Sequence, residues 1–372
     1  MIEDLNAPFE PDWVSPPGDS ILDLAEERGW TQAELAQRLG YTEKHISQLI
    51  HGKVPLSVDA AFRLERVLGS SADFWLAREA NYQRHLARLQ AQNQHAAWVP
   101  WLEQLPLKAL MACGALSQVR LDAKHKPALV DQCLRFFGVA SPDEWQAHYG
   151  GLQFSFRRTR TDQADLGAIS AWLRLGEQQA EQTTTPKYDR SAFIETLHAL
   201  RGLTDELPEV FVPQMGQRLH DAGVVLVLVP ALPKAHVSGV ARWLDGRPVI
   251  QLSLYGKSND RFWFTFFHEA AHILLHAGSR DARKSVFLDD PGAEADDSSQ
   301  EEREANDWAS TWLIPSDAAA ELPRLRSESA VLAFAQRIGI HPGIVVGRLQ
   351  HDVVIPATWL NGLKQRFQLA PE

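Results

Sequence analysis

From Asp19 the apolar positions recur with a helical period in five consecutive blocks: ILDLAEERG, TQAELAQRLG, TEKHISQLIHG, SVDAAFRLERVLG and ADFWLAREANYQRHLARLQ. Each block opens on a residue such as Asp, Ser or Thr, whose short side chain can accept an orphan backbone N–H. Most close at Gly, the residue that most readily takes the left-handed turn ending a helix. The pattern predicts one all-α module over 19–90. Ahead of it, residues 1–18 carry four prolines and no period, and read as a leader arm. Helical blocks continue through a middle region, 91–188, including VDQCLRFFG and DLGAISAWLRLGEQQA. Within that region GLQFSFRRTRTD predicts a strand or extended connector, and EQQAEQTTTPK a linker.

Beyond 189 the grammar changes. Helices near 189–202 and 213–222 lead into GVVLVLVP, a buried-strand pattern. VSGVARWL and PVIQLSL then flank Asp245-Gly246, a two-residue turn suited to the twist of a hairpin. NDRFWFTFFHEAAHILLHAG follows as a very apolar helix capped at Asn259 or Asp260. An acidic loop with eight carboxylates between Asp289 and Glu304 runs into a further helix, EEREANDWASTWLIP. Residues 321–372 add two helical blocks around the turn IGIHPG, as a C-terminal extension to a domain spanning 189–320. The expected fold class is α+β, mostly α, with a small β-sheet confined to the C-terminal half.

Charge narrows the function. The chain has 37 basic and 47 acidic residues, a net charge of −10, which excludes a polycation that coats nucleic acid or anionic membrane. A local DNA-binding face remains open. Only two cysteines occur, Cys113 and Cys133, too few for a disulfide framework or a multi-Cys metal site. The N-terminus lacks a charged-then-apolar signal, and the longest aliphatic run, Val224–Val229, is far short of a membrane span. A reduced, soluble, cytoplasmic protein without membrane contact is expected. The twelve tryptophans mostly fall at apolar helical spacing and read as core. Arg157, Arg158 and Arg160 read either as a solvated face or as a contact for DNA, a nucleotide or an acidic partner.

The strongest chemical signal is His268-Glu269-Ala270-Ala271-His272. On a helix, positions i and i+4 differ by about 40°, so both imidazoles leave one face with Cβ atoms about 5–6 Å apart. Two ring nitrogens so placed can reach one Zn2+ at about 2.0–2.1 Å. Glu269 lies beside the metal, placed to accept a proton from water whose pKa the metal lowers toward about 7. Two histidines and a glutamate inside so apolar a helix would be costly without a metal or hydrogen-bond partners. A third protein ligand is needed, and no HExxHxxGxxH pattern supplies it. The helix EEREANDWASTWLIP offers Glu302, with Asn306 one turn on as support for a ligating imidazole. Glu304 is the rival ligand, pointing about 200° away from Glu302 on the same helix. His276, one turn beyond His272, is a candidate for the metal, for the helix end or for the cleft. His276, Tyr255 and His236 are the candidates for stabilising an oxyanion.

FFHEAAHILLH followed by EREANDWASTWLIP resembles the ImmA/IrrE family of zinc metallo-endopeptidases, and SGVARWLDGRPVIQLSL resembles the hairpin ahead of that family's HExxH helix. The resemblance covers roughly 190–320 and implies a zincin-like domain. It implies His268, His272 and Glu302 as zinc ligands and Glu269 as general base. Ala270-Ala271 departs from the family, which often carries Gly before the second His. The family's usual substrates are helix-turn-helix repressors.

In the N-terminal module, Thr31–Leu39 and Thr42–Ile50 are short helices joined at Gly40-Tyr41, with Leu35, Ala36, Leu39, Ile46, Leu49 and Ile50 facing inward. That is the layout of a helix-turn-helix, whose second helix enters the major groove. GWTQAELAQRLGYTEKHISQLIHGKVPLS resembles the XRE-type repressor domain, in particular the HigA-like antitoxin branch. The resemblance implies that Thr42, Glu43, Lys44, His45, Ser47 and Gln48 face bases or phosphates and that Lys53 meets the DNA backbone. Nine basic against ten acidic residues from Asp19 to Arg88 predict weak non-specific attraction to phosphate. A helical module for protein pairing fits the same pattern, and both roles combine in a homodimer on a palindromic operator.

These readings predict a transcription regulator fused to a zinc metallo-endopeptidase. Its expected partners are double-stranded DNA and a protein substrate, a repressor or antitoxin that includes another copy of the chain or its own linker, in a stress, prophage or toxin–antitoxin circuit. The alternative is an antitoxin or regulator whose peptidase fold only senses a ligand or partner. A third reading, a housekeeping peptidase with a pairing module, predicts no sequence-selective DNA binding.

Overall fold

Four hydroxyl caps set the helices of the N-terminal unit. Thr31, Thr42, Ser57 and Ser71 each accept the backbone N–H three residues on at 3.2 Å, and each such cap contributes about 1 kcal/mol. The computed structural model describes residues 15–157, 166–253, 258–276, 287–288 and 300–367. The chain divides into two units, Met1–Trp98 with Lys126–Ala128, and Val99–His125 with Leu129–Glu372. The fold is α+β and mostly α.

The first unit holds α1 (Pro17–Glu27), α2 (Gln32–Leu39), α3 (Glu43–Ile50), α4 (Val58–Leu68) and α5 (Ala72–Ala97). Its core joins Ile21, Leu35, Leu39, Ile46, Leu49, Leu64 and Trp75. Helix α1 takes in Pro17 and Gly18, the end of the expected leader arm. Proline is at home in a first helical turn, where its missing N–H has no partner to lose. A Cβ on Gly18 would lie 1.8 Å from Ile50 O, so only glycine lets α1 approach the end of α3 this closely. Helix α5 runs on to Ala97, and of its 26 residues only Ala72 and Trp75 are buried.

The second unit begins with α6 (Leu107–Ala112), α7 (Lys126–Phe137) from Leu129 onward, α8 (Pro142–Arg157) and α9 (Leu166–Gln182). Helix α8 corrects the strand expected from Gly151: the segment is helical as far as Arg157. The reason is tertiary. Trp145 and Tyr149, one turn apart, are buried beside Phe137 and carry the helical period forward. Arg158 and Arg160 lie outside the described residues. Helix α9 extends through the first half of the expected linker, and the non-helical segment that follows it runs from Thr183 to Asp189.

Helices α10 (Arg190–Arg201) and α11 (Pro208–Asp221) precede a four-stranded sheet in the order β1-β3-β2-β4. Helix α11 starts ahead of the expected 213 and contains Pro213; burial of Phe211, Met215 and Leu219 along one face outweighs the lost backbone bond. Strands β1 (Val225–Leu228) and β3 (Arg247–Leu252) pair in parallel; β2 (Gly239–Leu244) is antiparallel to β3. The β2–β3 turn has positive φ at both central residues, 50° at Asp245 and 79° at Gly246, which matches strand twist. A short β4 (Phe287–Leu288) adds to the other side of β2.

Helix α12 (Asn259–His276) packs on β2 and β3, and α13 (Gln300–Leu313) packs on α12. The short α14 (Ser316–Ala319), then α15 (Glu328–Ile338) and α16 (Pro342–His351), close the chain. Phe334, Ile344, Val345, Leu349 and Phe367 share one core with Phe262, Trp263, Phe266 and Phe267 of α12. Each such side chain contributes about 1.5–3 kcal/mol on burial. The segment expected as a C-terminal extension is therefore part of the packing that holds α12. Among the described residues no single helix is long and apolar enough to cross a membrane.

Candidate metal centre and helix-turn-helix surface

Helix α12 is buried on nearly every side. Its aromatic residues face the core; His268 and His272, at 1% and 2% exposure, meet α13, and Glu269, at 0%, lies against β2. Small residues on α13 suit a close crossing: Ala305 and Ala309, on the face that carries Glu302 and Asn306, are fully buried. Glu302 and Asn306, one turn apart and flanking Ala305, thereby reach the histidines.

The donors form a tight group. His268 Nε2 lies 3.0 Å from His272 Nε2 and 3.2 Å from Glu302 Oε2, and His272 Nε2 lies 3.4 Å from Glu302 Oε1. Tetrahedral zinc with ligands at about 2.0–2.1 Å requires donor–donor edges of about 3.3 Å. Two imidazoles and one carboxylate with these edges fit such an ion, and their ligand atoms lie within 4.8 Å of one another. Burial pushes His272 down to about 4, which keeps its ring neutral at physiological pH. Burial opposes ionisation of Glu302, but hydrogen bonds with His268 and His272 outweigh it and hold the carboxyl at about 2. The group is thus electrostatically ready for a cation.

Partners behind the donors orient them. Asn306 Oδ1 lies 2.9 Å from His268 Nδ1. His276 Nδ1 lies 3.1 Å from His272 Nδ1, and His276 Nε2 lies 3.1 Å from Glu304 Oε2. Glu304 therefore faces His276, and Glu302 faces the histidine pair. Glu269 sits under the start of β2, where a Cβ on Gly239 would come within 2.8 Å of its Oε1 and 2.6 Å of Thr265 Cγ2. Glycine at 239 is what admits the carboxyl to this position; nothing in the local sequence marks it, because the contact joins residues 30 apart. His236 stands in the loop before β2 with φ 49°, outside the His268–His272–Glu302 group. Tyr255 lies outside the described residues.

In the first unit, Ile46, Leu49 and Ile50 turn α3 into the core and leave its other face outward. Glu43, Lys44 and Lys53 are exposed; His45, Ser47 and Gln48 are half-exposed. Thr42 is exposed, with its hydroxyl committed to the cap on His45 N at 3.2 Å. His45 also packs on Tyr41, with ring centroids 4.5 Å apart. Several cations are already paired: Arg38 with Glu34 at 2.8 Å and Arg63 with Asp59 at 2.7 Å.

An all-α unit of helix-turn-helix form and an α+β unit with two buried histidines meeting a half-buried glutamate together define a DNA-binding module joined to a metallohydrolase-like domain. Comparison with known families agrees. Residues 21–75 match the helix-turn-helix family model, and residues 222–350 match the model of the IrrE N-terminal-like domain, a peptidase family. The second match runs through α15 and most of α16, consistent with their place in the core around α12. No curated protein gives a match to the chain. The chain is thus a fusion of an XRE-type helix-turn-helix domain with an IrrE-like peptidase domain.

Proposed function

We propose that the protein is a transcription regulator that binds an operator through α3 and cleaves a protein substrate at a zinc centre held by His268, His272 and Glu302. The observation that carries the reading is the donor triangle, with edges of 3.0, 3.2 and 3.4 Å, beside a buried glutamate. Zinc in that position would polarise a peptide carbonyl and acidify water. Glu269 takes a proton from water as it attacks the carbonyl carbon, then delivers that proton to the leaving amine. Asn306 fixes the ring of His268 by accepting from Nδ1–H, which leaves Nε2 free to ligate. The substrate class that suits a peptidase fused to a repressor-type module is a helix-turn-helix repressor or antitoxin, another copy of this chain included.

Metal analysis tests the centre. Purified wild-type protein should carry about one zinc per chain, and His272→Ala or Glu302→Ala should lose it. A wild type that takes up no zinc after reconstitution would leave the domain as a scaffold or sensor. DNA binding is tested separately by retardation of a promoter fragment containing a palindrome. Retardation should persist at moderate salt and be abolished by combined replacement of Lys44, Ser47 and Gln48 with Ala. Binding that ignores the palindrome and vanishes with modest salt would refute operator recognition, because non-specific phosphate contacts are screened in this way.

A further inference from the structure

Both nitrogens of His272 are engaged, and the far one opens a chain that leads away from the metal centre. Its Nδ1 lies 3.1 Å from His276 Nδ1, and His276 Nε2 lies 3.1 Å from Glu304 Oε2. The Gln300 amide donates to the other Glu304 oxygen at 2.7 Å and so orients the carboxylate. The proton positions follow from the end of the chain that cannot donate. An ionised carboxylate only accepts, so His276 Nε2 carries the hydrogen. With that hydrogen on Nε2, the His276 ring offers the lone pair of Nδ1, which accepts from His272 Nδ1–H. What remains on His272 is a lone pair at Nε2, the atom 3.4 Å from Glu302 and 3.0 Å from His268 Nε2. His276 itself has no nitrogen left for the metal, since one faces His272 and the other faces Glu304.

We propose that His276 and Glu304 are positioning residues for the metal centre: Glu304, acting through His276, fixes the ring orientation and tautomer of His272. The inference rests on the reading of His268, His272 and Glu302 as a zinc site. The two ligating histidines are then supported differently. His268 leans directly on the neutral amide of Asn306, whereas His272 leans on an imidazole backed by a carboxylate. Partners of this kind typically change metal affinity by about 10–100-fold.

Zinc affinity of the full-length protein, measured by competition with a chromophoric chelator at fixed pH, tests the chain of contacts. His276→Ala should weaken zinc binding by about 10–100-fold and Glu304→Ala by about 10-fold. The double variant should bind no more weakly than His276→Ala alone, because removing the middle link already disconnects Glu304. Glu304 lies on the surface, so Glu304→Ala should leave the thermal unfolding of the metal-free protein unchanged. It decides the question by itself if His276→Ala does not fold. Affinities within about twofold of wild type, or losses that multiply in the double variant, would overturn the proposal. If wild type binds zinc and the variants bind equally well, only this inference fails; if wild type binds none, the metal-centre reading fails with it.

Discussion

Glu269→Gln is expected to keep about one zinc per chain while slowing peptide-bond cleavage by about 10²–10⁴-fold, the usual worth of a positioned general base. The substitution preserves volume in a site where the side chain is wholly buried beneath Gly239, so the surrounding packing is retained. It removes only the capacity to take and return a proton. The substrate can be found by comparing protein N-termini in cells carrying wild type with those carrying the variant. The regulated promoter supplies the second readout. If promoter output responds identically to both proteins, cleavage is not how the regulator works, and a peptidase fold that senses a ligand or partner becomes the better account.

Arg242→Ala is expected to lower stability by about 3 kcal/mol and the thermal midpoint of the larger unit by roughly 6–12 °C. Arg242 is 7% exposed and donates to Glu177 Oε1 at 2.6 Å, Leu173 O at 2.8 Å and Gln251 Oε1 at 3.0 Å. Gln251 in turn donates to Trp172 O at 2.7 Å, and a Cβ on Gly176 would fall 2.0 Å from its Oε1. These bonds fasten α9 to β2 and β3. Removing the guanidinium leaves the buried Gln251 Oε1 without this donor and the mostly shielded Glu177 carboxylate without its closest cation. Arg174, 3.1 Å from Glu177 Oε2, retains part of the compensation, which keeps the expected loss near the low end for a broken buried pair. Differential scanning calorimetry would measure the shift; a midpoint within about 2 °C of wild type would show that the network does not hold α9 in place.

Local chemistry made much of this molecule legible. The caps at Thr31, Thr42, Ser57 and Ser71 and the positive-φ turn at Asp245-Gly246 are short-range features, so the sequence pattern and the observed elements agree there. The segment after Gly150 was misread because its helicity depends on Trp145 and Tyr149 being buried against Phe137, a contact that local composition does not display. The start of α11 was placed late for the same reason: Pro213 reads as a boundary until the burial of Phe211 and Met215 is known. In the centre itself, the His268–His272 spacing and the candidate Glu302 were visible on single helices. His276 was visible too, at the same spacing from His272, but its partner Glu304 is 28 residues away on α13.

The sequence by itself determined most of the helices and the β-hairpin, put candidate metal ligands on two helices, and showed that a repressor-like module and a peptidase-like module share one chain. Periods, caps, turns and i,i+4 pairs are properties of a few neighbouring residues, and physics at that range leaves little freedom. Tertiary structure alone decided which carboxylate meets the histidines. Ala305 and Ala309 bring α13 close to α12, and that crossing turns Glu302 toward the histidine pair and Glu304 toward His276. It also decided that Gly239 makes room for Glu269, that Arg242 ties α9 to the sheet, and that α15 and α16 complete the core around α12. Such contacts join residues tens of positions apart, and their energies come from close packing and from polar groups shielded from water, which exist only once the chain has folded.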